Sequence, residues 1–192
     1  MIQITELFTT PILNTYLPQD KNLNKYVIDY CKKNKTETKS NINGYQSNNV
    51  LEKPGGILSR FINSLNSPVK VFSSSLRLKQ AIEVNNMWFN INKPGATNKL
   101  HNHPQSIISG VYYLKVPKDS GNIIFYNPAS ELMSSYLPNS FVNSYDRYNA
   151  NSWSITPKEN YLILFPSWLR HEVSKNDSKK DRISIAFNYS FK

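Results

Sequence analysis

Residues 99–114, KLHNHPQSIISGVYYL, join two of the three histidines of this 192-residue chain to a run of β-branched and aromatic side chains. The run from Ser106 to Val116 predicts a buried β-strand. His101 and His103 precede it with one residue between them. Alternate residues of a strand point to the same face, so this spacing directs both imidazoles at one point. We therefore expect a pair of metal ligands at the edge of a sheet.

Other strand patterns accompany this stretch from residue 83 onward, and Pro and Gly residues separate them. They cover residues 87–92, 122–126, 161–165 and 182–191. Short strands of this kind are typical of an antiparallel sandwich or barrel. The exception is 128–152, which is too long and too polar for a tight turn, and an insertion of that size is usually a lid or a mobile loop.

The first 82 residues predict a mainly helical part. Asp20 is placed to cap a helix over residues 22–33, a second helical pattern begins at about Gly56, and a third element covers 68–82. Ile2-Gln3-Ile4 alternates like a short strand, and a polar loop extends to Asn49. We expect a single domain over 1–192, with the helices packed on one sheet of a barrel formed by 83–192.

The composition limits the function. The net charge is +10, but no basic stripe with interleaved aromatic residues is present, so the sequence disfavours nucleic-acid binding. Cys31 is the only cysteine, which excludes an intramolecular disulfide. No signal peptide or membrane span is recognisable, so we expect a soluble cytoplasmic protein, or one in the host cytoplasm if a phage encodes it. The commonest assembly of such proteins is a homodimer.

The third histidine, His171, follows another strongly apolar strand. In an antiparallel barrel that strand can bring it to the first two, and three protein ligands leave the remaining positions of an ion open for substrate and dioxygen. The alternative is that His101 and His103 are simply polar residues on an exposed strand edge and bind no metal. Structural zinc is disfavoured, because such sites are usually four-coordinate and rich in cysteine.

Arg182 and Ser184 share one face of the last predicted strand. A guanidinium with a neighbouring hydroxyl is a good receptor for a carboxylate, and together with an open metal it indicates a chelating oxo-acid. The alternative is a surface ion pair between Arg182 and Asp181 or Glu172.

Together these segments resemble the iron(II)/2-oxoglutarate-dependent oxygenases, and within them a branch found in phages and marine bacteria. The resemblance rests on WFN at 88–90 with Pro94-Gly95, HNHPQSIISGVYYL, GNIIFYNP, LILFPSWLRHEV and the pair Arg182 and Ser184. It extends over about 1–190, because ITELFTTPI and NGYQS near the start also match. No single motif is specific, but the set is.

The resemblance implies a double-stranded β-helix, a jelly-roll or cupin-like barrel, that holds Fe(II). His101 and His171 would be ligands of the metal, and Arg182 with Ser184 would bind the distal carboxylate of 2-oxoglutarate. Tyr113 and Asn90 occupy positions where relatives contact this cosubstrate. The implied activity couples oxidative decarboxylation of 2-oxoglutarate by dioxygen to oxidation, usually hydroxylation, of an unknown primary substrate.

One position departs from the family pattern. His103 stands where relatives have a carboxylate ligand, so the metal would be held by three neutral imidazoles, with net charge +2 instead of +1. We expect His103 to bind; in the alternative it turns away and water or halide takes its place.

Two other interpretations remain open. The spacing of Gly95, the histidine pair, Pro166 and His171 also matches parts of the cupin pattern, which would give a three-histidine dioxygenase that needs no cosubstrate. The glutamate expected after the pair is absent, and Trp168 replaces a cupin glycine. In the third interpretation the barrel binds a ligand without catalysis, through the aromatic residues of 128–152.

Overall fold

The computed structural model of the chain describes residues 2–34, 39–51 and 56–192, which form two antiparallel sheets and three α-helices. The major sheet has six strands in the order β1-β9-β6-β11-β4-β3. Their bounds are β1 (Leu13–Tyr16), β3 (Tyr45–Gln46), β4 (Ile82–Asn92), β6 (Ile108–Lys115), β9 (Tyr161–Pro166) and β11 (Arg182–Phe191).

The minor sheet has five strands in the order β2-β5-β10-β7-β8. They are β2 (Asn41–Ile42), β5 (Thr97–His101), β7 (Ile123–Tyr126), β8 (Ser152–Ile155) and β10 (His171–Val173). From β4 onward the chain passes repeatedly from one sheet to the other. This is the winding of a double-stranded β-helix, and it confirms the predicted fold.

The helices are α1 (Lys21–Lys33), α2 (Ile57–Ser75) and α3 (Ser130–Tyr136). Asp20 caps α1 as predicted, because its carboxylate accepts hydrogen bonds from the backbone N–H groups of Asn22 and Leu23. The apolar faces of α1 and α2 pack on the outer face of the major sheet. The core between them contains Leu23, Val27, Leu58, Leu65 and Phe72 from the helices and Phe89, Ile185 and Phe187 from the strands.

The region around residues 56–82 differs from the prediction of two separate elements. Helix α2 continues through Pro68 without ending. Proline lacks an N–H and costs about 3 kcal/mol inside a helix. Leu65, Val69 and Phe72 continue one buried stripe across the proline, and the burial of that stripe outweighs the lost hydrogen bond.

The predicted strand at Ile2-Gln3-Ile4 is wrong, since this segment is an exposed coil and the first strand is β1. Alternation over three residues is too short a signal when no neighbouring strand offers a pairing edge. The predicted polar loop up to Asn49 contains the short strands β2 and β3, and its residues 35–38 lie outside the described chain. The insertion 128–152 holds α3 and a 3-10 turn, Asn139–Phe141. None of the helices in the described ranges has the length and apolar character of a membrane span.

Strand β11 is central to the major sheet and pairs with β4 on one side and β6 on the other. The register sets Ser184 opposite both Asn90 and Tyr113, and Ala186 opposite both Trp88 and Val111. Directly opposed residues share a face. The side chains that face the barrel interior therefore form successive rows across β4, β11 and β6.

Candidate metal and cosubstrate site

Strand pairing in the minor sheet brings two of the histidines together. His101 is the last residue of β5 and His171 the first of β10, and the two are register partners. His103 lies in coil between β5 and the turn at Pro104-Gln105, so the expectation that it lies on a strand is wrong. Pro104 offers no N–H to a neighbouring strand, and Gln105 has a φ of 65°. The backbone N–H of His103 instead donates to the carbonyl of Ser167, 3.0 Å away.

The three imidazoles converge in spite of this difference. One ring nitrogen from each lies within 4.8 Å of those of the other two. The ring centroids are 4.4 Å apart for His101 and His171, 5.0 Å for His101 and His103, and 5.1 Å for His103 and His171. The prediction that the three histidines converge is therefore confirmed.

Backbone carbonyls fix the orientation of two of the rings. His101 places Nδ1 2.6 Å from the carbonyl oxygen of Lys99, and His171 places Nδ1 2.9 Å from that of Leu169. A carbonyl oxygen can only accept, so Nδ1 carries the proton in each ring and Nε2 keeps its lone pair. Such a bond on the second nitrogen is the usual support of a metal-binding histidine.

The electrostatics of the cluster favour neutral rings. Burial lowers the pKa of His103 and of His171 to about 3, with a smaller lowering from the neighbouring His101. Burial also lowers the pKa of His101. Neutral imidazole is the form that binds a metal ion, so at pH 7 the three nitrogens are available as ligands.

Aromatic side chains enclose the cluster. The ring of Trp88 lies 5.5 Å from that of His103, and Phe165 and Phe125 lie 4.7 and 6.0 Å from His171, measured between centroids. These contacts limit ring rotation and water access on the inner side of the histidines.

The four predicted cosubstrate residues also lie together on the inner face of the major sheet. Ser184, Asn90 and Tyr113 form one row across the major sheet, and Arg182 lies in the next row of the same face. All four are buried. Burial lowers the pKa of Arg182 and raises that of Tyr113 to about 12.

Arg182 is a buried cation whose hydrogen-bonding capacity is only partly used. Its Nη1 donates to the carbonyl oxygens of Ser120 and Gly121, at 2.9 and 3.2 Å, while Nε has no partner. Within the described ranges no carboxylate forms an ion pair with it. Glu172, one of the partners considered above, accepts from the Tyr126 hydroxyl instead. A guanidinium that is 2% exposed without a counter-charge is costly, so this position fits an anionic ligand.

The row between the cosubstrate residues and the histidines is more open. Ala186, Val111 and Trp88 are partly exposed although they lie in the inner strands of the sheet. All three lie in register with one another on the inner face of the sheet. A cleft of about 460 Å³ begins beyond this row and is lined by His101, His103 and Trp88, among others.

The central sequence of this barrel matches a known family. Residues 86–188, more than half of the chain, match the sequence model of the family described as putative 2OG-Fe(II) oxygenase. The chain belongs to this family. Its activity is accordingly that of a 2-oxoglutarate- and iron(II)-dependent oxygenase, and its cofactors are Fe(II) and 2-oxoglutarate. The donor set fits them, since the histidine cluster offers nitrogen ligands and the barrel interior offers an unpaired cation.

Solved structures of this 2OG-Fe(II) oxygenase fold resemble the chain over nearly its whole length. A Pseudomonas putida prolyl-4-hydroxylase has a TM-score of 0.64 at 14% identity, covering 97% of this chain and 95% of its own. HygX from Streptomyces hygroscopicus, with nickel and 2-oxoglutarate bound, has 0.65 at 11%, covering 95% and 83%. The viral collagen prolyl hydroxylase of Paramecium Bursaria Chlorella virus-1 has 0.60 at 16%, covering 93% and 94%. No curated protein sequence matches the chain.

Sequence reasoning missed several residues around this oxygenase site. Buried hydroxyls form a chain in which Ser167 contacts Ser109 at 2.8 Å and Ser109 donates to Asn188 Oδ1 at 2.7 Å. The small residue Ala186 and the position of Trp88 against His103 were also missed. No local pattern identifies these contacts, because each joins strands far apart in the chain.

Proposed function

We propose that His101, His103 and His171 hold Fe(II) and that Arg182, Ser184, Tyr113 and Asn90 hold 2-oxoglutarate, in a reaction that hydroxylates a primary substrate. The observation that carries the proposal is the convergence of three neutral imidazoles in the same barrel as a buried, unpaired guanidinium. The overall reaction converts substrate C–H, dioxygen and 2-oxoglutarate to substrate C–OH, succinate and CO2.

The three histidines would bind the metal through the lone pair of one ring nitrogen each. His101 and His171 donate their Nδ1–H groups to carbonyls and direct Nε2 toward the centre of the cluster. His103 is held by its backbone bond to Ser167 and by the ring of Trp88. Iron held by these three side chains would supply the redox chemistry that dioxygen activation requires.

Arg182 has the task of orienting the cosubstrate. Its Nε has no partner and is therefore free to donate to the distal carboxylate. The hydroxyls of Ser184 and Tyr113 lie beside it. Burial strengthens this charge-assisted contact because little water competes for it. The unpaired Oδ1 of Asn90 stands in the same row as Ser184, so its amide would border the cosubstrate held by Arg182.

The replacement of a carboxylate ligand by His103 changes the charge of the site. Three neutral ligands leave the full +2 charge of iron(II), which attracts dianionic 2-oxoglutarate more strongly than a +1 site does. We expect His103→Asp to bind 2-oxoglutarate more weakly than the unmodified protein while still binding the metal.

A cosubstrate-free dioxygenase would be compatible with the three histidines alone. The buried Arg182 favours the 2-oxoglutarate reaction, because a protein without an anionic cosubstrate gains nothing from a desolvated guanidinium. Assay of succinate separates the two activities.

The proposal extends to the surroundings of the protein. We place it in the cytoplasm, with a homodimer as the expected assembly and nucleic acid as a disfavoured partner. The unpaired and buried Cys31 and the absence of a basic aromatic stripe support this environment. Light scattering measures the assembly, and a monomeric mass would contradict the dimer.

The test measures metal content and succinate together. Protein reconstituted anaerobically with Fe(II) should bind one iron, and with 2-oxoglutarate and air it should form succinate above the metal-free control. His101→Ala and His171→Ala should lose both properties, whereas Lys70→Gln on the outer face of α2 should lose neither. Full iron binding by the histidine variants would contradict the assignment of the ligands.

A further inference from the structure

The side chains that line the cleft beyond the histidines indicate the chemistry of the primary substrate. We propose that this substrate is a small anion, bearing a carboxylate or a phosphate group, that binds in the cleft through amide N–H groups and lysine. The inference rests on the proposed function, because the cleft is taken to be where the substrate meets the metal. Its walls include His101, His103, Asn49, Asn188 and Lys99.

Asn49 is forced to present a donor. Its Oδ1 accepts hydrogen bonds from the backbone N–H groups of Leu51 and Met87, at 3.2 and 3.1 Å. Backbone N–H groups only donate, so the atom that they contact must be the amide oxygen. The Nδ2 group of Asn49, on the other side of the amide, remains for a ligand that accepts hydrogen bonds.

Asn188 repeats this arrangement deeper in the cleft. Its Oδ1 accepts from the Ser109 hydroxyl at 2.7 Å, and Ser109 is itself held by Ser167. The side chain is buried and the contact is rigid, so the amide nitrogen is the group left to the cleft. Two fixed amide donors in one cleft select acceptors, and an anionic oxygen is the strongest acceptor.

Asn86 presents an unpaired hydrogen-bond acceptor, in contrast to the two amide donors. It lies opposite Asn188 in the register of β4 and β11, and its buried Oδ1 has no partner. A hydroxyl or N–H of the substrate would satisfy it. The ligand that fits is therefore an anion that also carries a donor.

The charges around the cleft agree in sign. Lys99 and Lys39 line it, and none of its lining residues in the described chain is acidic. Iron(II) with three neutral histidines and dianionic 2-oxoglutarate sums to zero, so the charge of Lys99 sets the sign of the remaining field. A positive field in a cleft concentrates anions.

The cleft is separate from the cosubstrate pocket. Arg182, Ser184 and Tyr113 do not line it, and they lie toward the opposite end of β11 from Asn188. Its volume, about 460 Å³, suits a small molecule. Trp88 and Leu100 supply apolar wall beside the histidines, where the carbon to be oxidised would lie.

The test uses Trp88 as a reporter of the charge in the cleft. In a Trp153→Phe/Trp168→Phe protein the fluorescence of Trp88 is observed alone, with Zn(II) in place of iron and 2-oxoglutarate at saturation. Iodide should quench it about threefold more efficiently than caesium ion, because the field enriches anions near the ring. Lys99→Gln should reduce this preference, and so should Asn188→Asp, which keeps the contact with Ser109 but adds a negative charge.

The control is Lys70→Gln, which removes the same charge from the outer face of α2 and should leave the preference unchanged. Equal or stronger quenching by caesium would overturn the proposal. A preference that neither cleft variant alters would also overturn it, because the anions would then be attracted from elsewhere.

Paired ligands identify the source of the anion. N-acetylglycinate and glucose 6-phosphate are compared with neutral N-acetylglycinamide and glucose for their ability to protect Trp88 from iodide. Protection by the carboxylate alone indicates a carboxylic acid substrate, and protection by the phosphate alone indicates a phosphate ester. Equal protection by the neutral partners, or none by either anion, would contradict the proposal.

The result is independent of turnover. Failure of the proposed function would appear as missing iron or missing succinate, whereas failure of this inference would leave both intact and abolish only the anion preference at Trp88.

Discussion

The two ends of strand β11 are both polar and buried, but their hydrogen bonds are satisfied differently. At the Arg182 end, guanidinium Nε and the Oδ1 of neighbouring Asn90 have no partner. At the Asn188 end, the amide oxygen belongs to a closed chain through Ser109 to Ser167. At the first end the free guanidinium Nε is left for a ligand, whereas at the second the amide of Asn188 is held in place by the protein, although the Oδ1 of Asn86 opposite it also lacks a partner. Substitutions at the two ends should therefore change different quantities.

The largest effect is expected at the Arg182 end. Arg182→Met removes the charge that would bind 2-oxoglutarate, and the loss of two charge-assisted hydrogen bonds should raise the KM for 2-oxoglutarate about 100-fold. Succinate formation measured against 2-oxoglutarate concentration checks this. Arg182→Lys keeps the charge but not the planar fork, and it should recover part of the affinity. An unchanged KM in both variants would contradict the assignment of Arg182 to the distal carboxylate of 2-oxoglutarate.

Ser109→Ala should show the opposite behaviour. It leaves buried atoms of Asn188 and Ser167 without a partner, so the free energy of unfolding should fall by about 2 kcal/mol. The KM for 2-oxoglutarate should not change. Urea unfolding measures the free energy of unfolding. Ser73→Ala, on the solvent-facing side of α2, is the matched control. If Ser109→Ala weakened 2-oxoglutarate binding without lowering stability, the Asn188 end would also be part of the cosubstrate site, and the contrast between the two ends would be wrong.

Ala186→Leu tests the open row between the two ends. The larger side chain would occupy space beside Trp88 and Val111, and 2-oxoglutarate should bind about tenfold more weakly because it loses room near the histidines. Calorimetry with the Zn(II)-loaded protein measures the affinity. Unchanged binding would mean that the cosubstrate does not pass Ala186.

Asp20→Ala should give the smallest effect and sharpen the contrast with the barrel. Loss of the cap of α1 should cost about 1 kcal/mol of stability, measured by thermal unfolding, because two backbone N–H groups lose their acceptor. Both the KM for 2-oxoglutarate and the iron content should remain those of the unmodified protein. A change in either would show that the helical part does more than support the sheet.

Local sequence predicted the features that depend on neighbours in the chain. The helix after Asp20, the strands around Tyr113 and Phe165 and the position of His171 all follow from periodicity and apolar runs. The convergence of His101 and His171 followed from their place beside such strands. The prediction that His103 converges with them rests on a partly wrong reason, since His103 lies in coil after β5 and not on a strand.

Register and long-range packing could not be predicted. Nothing near Ser184 in the sequence indicates that Asn90 and Tyr113 stand opposite it, because a shift of one residue would exchange the faces. The continuation of α2 through Pro68 depends on burial against a sheet that forms later in the chain. The carbonyls that contact Arg182 belong to Ser120 and Gly121, which no local pattern connects to it.

The place of β11 in the middle of the major sheet has a consequence during biosynthesis. Its partners β4 and β6 leave the ribosome long before Arg182–Phe191 does, and their facing edges have no neighbour until then. Unpaired edges attract other strands, and such distant pairings form slowly. The nascent barrel therefore passes through an interval in which these two edges are exposed to aggregation.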